Sequence, residues 1–187
     1  MHIIRPMRLP LLLCTLLPFC AQAVDTPAPP LDRPHSLLNS FDVMCNLEPP
    51  NFEHLSAKAS AMHLKTMGED TQTTPTGETM QTRSWLGMLT TGAFALTIER
   101  MSGAKGVATS CAIEGPVPDV AAFREIVAST HHLNATPEKQ VVDGSNTYYW
   151  DHYTREGWTL MVRDFERPGG HFVQVKLLAM AKAGAPQ

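Results

Sequence analysis

Histidine is the first residue type to weigh for chemistry, since seven imidazoles follow residue 23: His35, His54, His63, His131, His132, His152 and His171. Near neutral pH an imidazole serves as acid, base or metal ligand. His54 and His63 are nine residues apart on one expected helix, which is two and a half turns, so they face opposite sides and cannot share a metal. His131 and His132 close a second expected helix, where the helix dipole favours a cationic ring. His132, His152 and His171 with Asp151 or Glu156 contain the donor types of a zinc site. No ligand spacing joins them, so no metal is expected. His152 or His171 with Asp151 is the acid–base pair that a small hydrolase would use.

Nucleophiles are harder to find. The chain has no G-x-S-x-G elbow, and Ser102 and Ser110 fall on or beside expected strands with no base identifiable nearby. Gly103-Ala104-Lys105-Gly106 lacks the Walker spacing and reads as a hairpin turn. Glu99 and Asp164 could work as a carboxylate pair, but Arg100 and Arg163 beside them offer solvated ion pairs instead. No catalytic residue and no cofactor is assigned. The aromatic residues point elsewhere. Tyr148-Tyr149-Trp150 alternates faces and cannot be buried on both if one face is wet. Tyr149 and Tyr153, with Trp158 nearby, are therefore expected to form an exposed patch that contacts a partner.

The compartment narrows the chemistry. Arg5 and Arg8 precede an apolar stretch from Leu9 to Phe19, and Ala21-Gln22-Ala23 follows as a small-x-small site. This is the pattern of a cleavable signal peptide over residues 1–23, with Val24 as the mature start. The apolar run is broken by Pro10 and Pro18 and falls short of the roughly 20 residues that span a bilayer. No later run is long enough either, so no integral membrane segment is expected after processing. Leu13 before Cys14 and Phe19 before Cys20 are not the small residues that lipidation needs.

Removing the signal moves the formal net charge from −3 to −5 and leaves Cys45 and Cys111 of the four cysteines. Two cysteines in an exported chain are expected to form a disulfide. Mild acidity without a basic stripe argues against nucleic acid as a partner. The expected location is periplasmic or secreted.

The elements that must position these residues follow from periodicity. Residues 24–36 contain Pro27, Pro29, Pro30 and Pro34 and are expected to be a flexible leader, with the folded domain over 37–182 and a frayed tail over 183–187. Between Asn51 and Met67, Phe52, Leu55, Ala59, Met62 and Met67 recur at helical spacing, with Asn51 as cap and Gly68 as stop. Val120, Phe123, Ile126 and Val127 mark a second helix that Asp119 caps. Gly68 to Thr79 is polar throughout and is expected to be a long exposed loop. Strands are expected at 82–88, 94–98, 107–113, 148–153, 158–162 and 172–180, where apolar residues alternate with polar ones or aromatic residues gather.

These elements recur in one order. Cys45 to Pro50 matches Cys111 to Pro116, Thr82-Arg83-Ser84-Trp85 matches Thr147-Tyr148-Tyr149-Trp150, and Phe94, Leu96 and Ile98 match Trp158, Leu160 and Val162. The expected fold is α+β: a mostly antiparallel sheet with two helices, from a tandem duplicated helix–three-strand unit over about 40–113 and 111–180. The cysteines would then occupy equivalent points, each at the entry to its unit's helix.

Phe41-Asp42-Val43-Met44-Cys45, the strand Arg83-Ser84-Trp85 and the second cysteine Cys111 together resemble a family of small exported bacterial proteins of unknown function. The resemblance covers roughly residues 40 to 130. It implies an exported α+β domain with a disulfide and brings no catalytic residues. The leading expectation is an exported, non-enzymatic binding protein that acts on another protein, as an immunity-type inhibitor or an envelope accessory factor. A hydrolase using His152 or His171 with Asp151, and a binder of a small apolar ligand, are the alternatives.

Overall fold

The computed structural model describes residues 33–46, 50–89, 91–133, 135–151, 153–154, 156–168 and 170–182. The expected signal peptide, the leader up to residue 32, His152 and the tail lie outside the described residues. The chain runs α1 (Arg33–Phe41), a π-helical turn (Asp42–Asn46), α2 (Phe52–Ala61), β1 (Lys65–Thr73), β2 (Thr79–Leu89), β3 (Gly92–Gly103) and β4 (Gly106–Pro116). It continues through α3 (Val120–Thr130), β5 (Glu138–Val142), β6 (Ser145–Asp151), β7 (Trp158–Arg167) and β8 (Gly170–Lys182). The strands form one sheet in the order β1-β2-β3-β4-β8-β7-β6-β5, and every neighbouring pair is antiparallel. The fold is α+β.

Period-two alternation decides which side of each strand is covered. Leu96, Ile98, Cys111, Ile113, Leu160, Val162, Val175 and Leu177 are aligned across β3, β4, β8 and β7 on one face. They pack with Leu37 and Phe41 of α1, Leu55 and Ala59 of α2, and Phe123 and Val127 of α3 in one core. Each large apolar side chain buried there contributes about 1.5–3 kcal/mol. The opposite face carries Ser84, Thr97, Ala112, Lys176, Met161 and Tyr149 in one row across six strands.

The two expected helices are present with the expected caps. Asn51 Oδ1 accepts from the His54 amide at 2.9 Å, and Asp119 Oδ1 accepts from the Ala122 amide at 3.0 Å. α2 stops at Ala61, before Gly68, because the chain turns at His63 in the left-handed region (φ 55°) and enters β1. A third helix, α1, precedes them and begins inside the segment expected to be flexible. Pro34 is no obstacle there, since a proline in the first helical turn removes no intrahelical hydrogen bond. Leu37, Leu38 and Phe41, with Met44 and Cys45 in the π-helical turn, form its buried stripe.

The expected loop over 68–79 is instead β1, a short turn and the start of β2. Each half of the sheet therefore has four strands, where three were expected. All nine residues of β1 are exposed. It buries no side chain, so it has no apolar alternation to reveal it, and its backbone pairing with β2 holds it. β5, the opposite edge, is nearly as exposed.

Cys45 and Cys111 are disulfide-bonded, with Cα atoms 5.4 Å apart. The bond ties the π-helical turn to the middle of a central strand. The two cysteines do not occupy equivalent points: Cys45 is on a helical turn and Cys111 is within β4. No helix among the described residues is long and apolar enough to cross a membrane.

Candidate functional site

A cleft of about 480 Å³ opens where the end of α3 meets the ends of β5 and β6. His131 and His132 line it from the helix end, Glu138 from β5, Tyr149, Trp150 and Asp151 from β6, and Tyr153 from the loop beyond. Each wall has a local cause. The helix ends at His131, and His132 turns left-handed (φ 53°), which places both residues at the helix end. Alternation along β6 sends Trp150 to the covered face and Tyr149 and Asp151 to the other, so the cleft wraps around the end of the sheet.

Tyr153 anchors the floor. Its hydroxyl donates to Asn46 Oδ1 at 2.9 Å and lies 3.0 Å from His131 Nδ1. Asn46 Nδ2 donates to Asp42 Oδ1 at 3.1 Å, and His131 Nε2 lies 3.2 Å from that same oxygen, close but outside hydrogen-bond alignment. Asp42, Asn46, Tyr153 and His131 thus close a ring that joins the π-helical turn, the end of α3 and the β6–β7 loop. Phe41 and Tyr153 both meet the His131 ring edge-on. Burial pushes the Tyr153 hydroxyl above the usual tyrosine range; donation to Asn46 lowers it in part, and the Asp42 charge raises it further. A phenol held neutral and engaged on both sides is neither a nucleophile nor a base at neutral pH.

The cleft gathers some of the residues expected to act and separates others. Tyr149 is half-buried on its wall. Tyr153 and Trp158 are buried at 6% and 8% exposure, which corrects the expectation of an exposed patch made by all three. Trp158 shares the inward side of β7 with Leu160 and Val162. Tyr153 is drawn inward because its amide donates to the Trp158 carbonyl at 3.0 Å, folding the loop back onto the core.

The hydrolase pair does not assemble from His171 and Asp151. Asp151 pairs with Thr159, which pairs with Leu178. His171 is seven residues from Leu178 on the same strand, so roughly 23 Å separates the two levels at the usual rise per residue. His171 is exposed beside Glu166, and Asp151 accepts from Thr159 Oγ1 at 2.8 Å. His152 lies outside the described residues. Glu99 and Asp164 face opposite sides of the sheet. Glu99 accepts from Lys176 and Ser110, and Asp164 accepts from the Asn146 amide. Among the described residues no three His, Cys, Asp or Glu side chains gather as metal ligands.

Neither Asp42 nor Asn46 stands out in the sequence as a site residue. Asn46 meets Tyr153 across 107 residues, and no local signal announces such a contact. A second cleft, about 370 Å³, lies beside α2 and is crossed by Arg83, which binds Glu53 at 3.1 Å and Glu69 at 2.8 Å. Both clefts are lined by carboxylates, unlike the apolar cavity that a small apolar ligand fills. No protein-family model matches the chain, and no curated protein or solved structure matches it.

Proposed function

We propose that the mature chain is an exported binding protein that acts by contact with another protein, and that its cleft receives a lysine or arginine side chain of that partner. One observation carries this reading. The described lining of the cleft contains Glu138, Asp151, Tyr149, Trp150 and Tyr153, and no lysine or arginine. Carboxylates beside aromatic faces favour a cation, through charge and through the ring quadrupole. Below the cleft the Tyr153 hydroxyl is held between Asn46 and His131, which makes it part of the floor. A net charge of −5 after signal removal steers a basic partner towards the protein.

Periplasmic or secreted location belongs to the same proposal, supported by the disulfide and by the signal-like residues 1–23. So does kinship with small exported bacterial proteins of unknown function. Of the residues that carry that resemblance, Phe41, Cys45, Trp85 and Cys111 are buried in the core, and Arg83 is half-buried beside α2.

Internal duplication is likewise proposed, in the form of a helix followed by four strands. The sheet order is a mirror list of two four-strand meanders joined at β4 and β8. Trp85 pairs with Leu96 and Trp150 with Leu160, and both indoles are buried. A further match supports the duplication. Ala59-Ser60-Ala61-Met62-His63-Leu64 and Ala128-Ser129-Thr130-His131-His132-Leu133 end α2 and α3 alike, with His63 and His132 both left-handed. Leu64 and Leu133 then donate to the carbonyls of Ala59 and Ala128.

The Trp150 indole N–H donates to the Ala135 carbonyl on the cleft wall at 3.2 Å and is a reporter for occupancy. Titrating the mature protein with N-acetyl-arginine amide should shift that indole resonance saturably, and E138Q/D151N should abolish the shift. An equal response to the neutral citrulline analogue, or none to either, refutes the cation-binding reading. A photo-crosslinker in place of Tyr149 should then capture the natural partner through a basic residue.

A further inference from the structure

We propose that the helix-free face of the sheet is a self-complementary interface, and that the mature protein is a twofold dimer of two copies packed face to face. The row Ser84, Thr97, Ala112, Lys176, Met161 and Tyr149 crosses β2, β3, β4, β8, β7 and β6. Its first three side chains are small and its last three are large. The neighbouring rows divide the same way at the β4–β8 boundary, where Ser110 stands opposite Leu178 and Ala108 opposite Met180. That boundary is the midline of the sheet, with four strands on either side. A twofold axis along it, midway between two stacked sheets, lays β4 of one copy over β8 of the other and β3 over β7. Thr97 then meets the second copy's Met161, and Ser110 its Leu178. The match of small with large is reciprocal, as an isologous interface requires.

Charge and area both favour a second copy as the occupant. On the middle strands β3, β4, β8 and β7 the described charged side chains of this face are each ion-paired within their own chain. Glu99 binds Lys176, Glu114 binds Arg167, and Arg163 binds Asp143. Covering them therefore leaves no unpaired charge, which is the condition for burying ions at tolerable cost. Two copies of this acidic chain repel through most of their surface, and a face neutralised in this way is where they can meet. It offers a basic partner no free carboxylate. The apolar side chains are open to solvent: Met180 is 65% exposed and Met101 45% exposed. β2, β3, β4, β8 and β7 are 10 to 13 residues long. At about 3.3 Å per residue and about 4.8 Å between strands they present about 800 Å² in projection. A stable interface of standard size takes about 800 Å² from each partner. The middle four strands contribute no residue to the carboxylate–aromatic cleft, so the dimer does not rest on the cleft's role.

Sedimentation equilibrium of the mature protein at about 100 µM should give the mass of two chains, since interfaces of this size bind at micromolar or tighter. M161E should weaken the dimer by about 100-fold or more, because the twofold sets two unpaired carboxylates into one interface. L178E should do the same. Both variants should keep the wild-type circular dichroism spectrum. Their melting temperatures should be independent of concentration, while that of the wild type rises with it. A spin label at T71C on the edge strand β1 reads the arrangement. With β1 of one copy over β5 of the other, the two labels should be about 35 Å apart, seven strand spacings across and one sheet spacing up. A wild type that stays monomeric overturns the proposal, even if the same face captures phospholipid vesicles or another protein. So does a dimer that M161E and L178E leave intact. A label distance under about 20 Å also overturns it, since β1 would then lie on its own copy. E138Q/D151N should leave the dimer untouched, so failure of the cleft and failure of this face are distinguishable.

Discussion

Replacing Cys45 and Cys111 together by alanine tests how the helical segment is held to the sheet. The disulfide closes a loop with a sequence separation of 66. Chain-entropy arithmetic for that loop gives about 4 kcal/mol of stabilisation at 25 °C. For a domain of this size each kcal/mol moves the melting temperature by about 2–4 °C, so C45A/C111A should melt about 8–16 °C lower. Both sulfurs are in residues at most 1% exposed, so reductant should act only through unfolding. The assay is thermal unfolding followed by circular dichroism, oxidised against reduced and wild type against variant. Hydrogen exchange adds spatial detail: protection should fall first in α1 and α2, which the bond ties to β4. A drop of under about 2 °C, or two reactive thiols in the unreduced native protein, would refute the reasoning.

Tyr153→Phe should cost about 1–3 kcal/mol in chemical denaturation, because Asn46 and His131 lose a partner in a buried ring. Since the folded protein holds the Tyr153 proton more tightly than the unfolded chain, wild-type stability should fall as pH rises past the ordinary tyrosine value of about 10, and the variant should lack that component. Gly87→Ala would place a Cβ 2.2 Å from the Phe94 ring. The displaced ring should cost about 1–3 kcal/mol, and Phe94→Leu in the same background should recover part of it. At Glu99, burial raises the carboxyl, but hydrogen bonding and charge from Lys176 and a bond from Ser110 hold it below the usual range. Its contribution to stability is present above the ordinary glutamate value and lost as pH falls through the lower folded value. Lys176→Met should therefore flatten the acid limb of the stability–pH curve.

Local patterns were legible where one physical cause acts within a few residues. Asn51 and Asp119 announce α2 and α3 because a cap bonds to an amide three residues on. β3, β4, β7 and β8 announce themselves because one side of each is covered and the other is not. β1 and β5 bury almost nothing, so their side chains carry no period; only pairing with a neighbour makes them strands. α1 was obscured by Pro34, whose meaning depends on whether it falls in the first helical turn or later. The matching ends of α2 and α3, A-S-x-x-H-L, were present in the chain as a repeat signal, and it took the left-handed residues His63 and His132 to give them a reason.

By itself, then, the sequence determined the signal-like start, the cysteine pair available for a disulfide, most strands and two helices, since these rest on composition and short-range spacing. The tertiary structure alone decided that β4 meets β8 and that Tyr153 and Trp158 turn inward. It also brought Asp42 and Asn46 to His131 under a carboxylate-lined cleft, and Met180 across Ala108 to Met101. The pairing of β4 with β8 and the meeting of Asn46 with Tyr153 join residues dozens of positions apart or more. Side-chain types along the chain do not encode which distant surfaces meet; that is set by the mutual burial of the sheet face and the three helices.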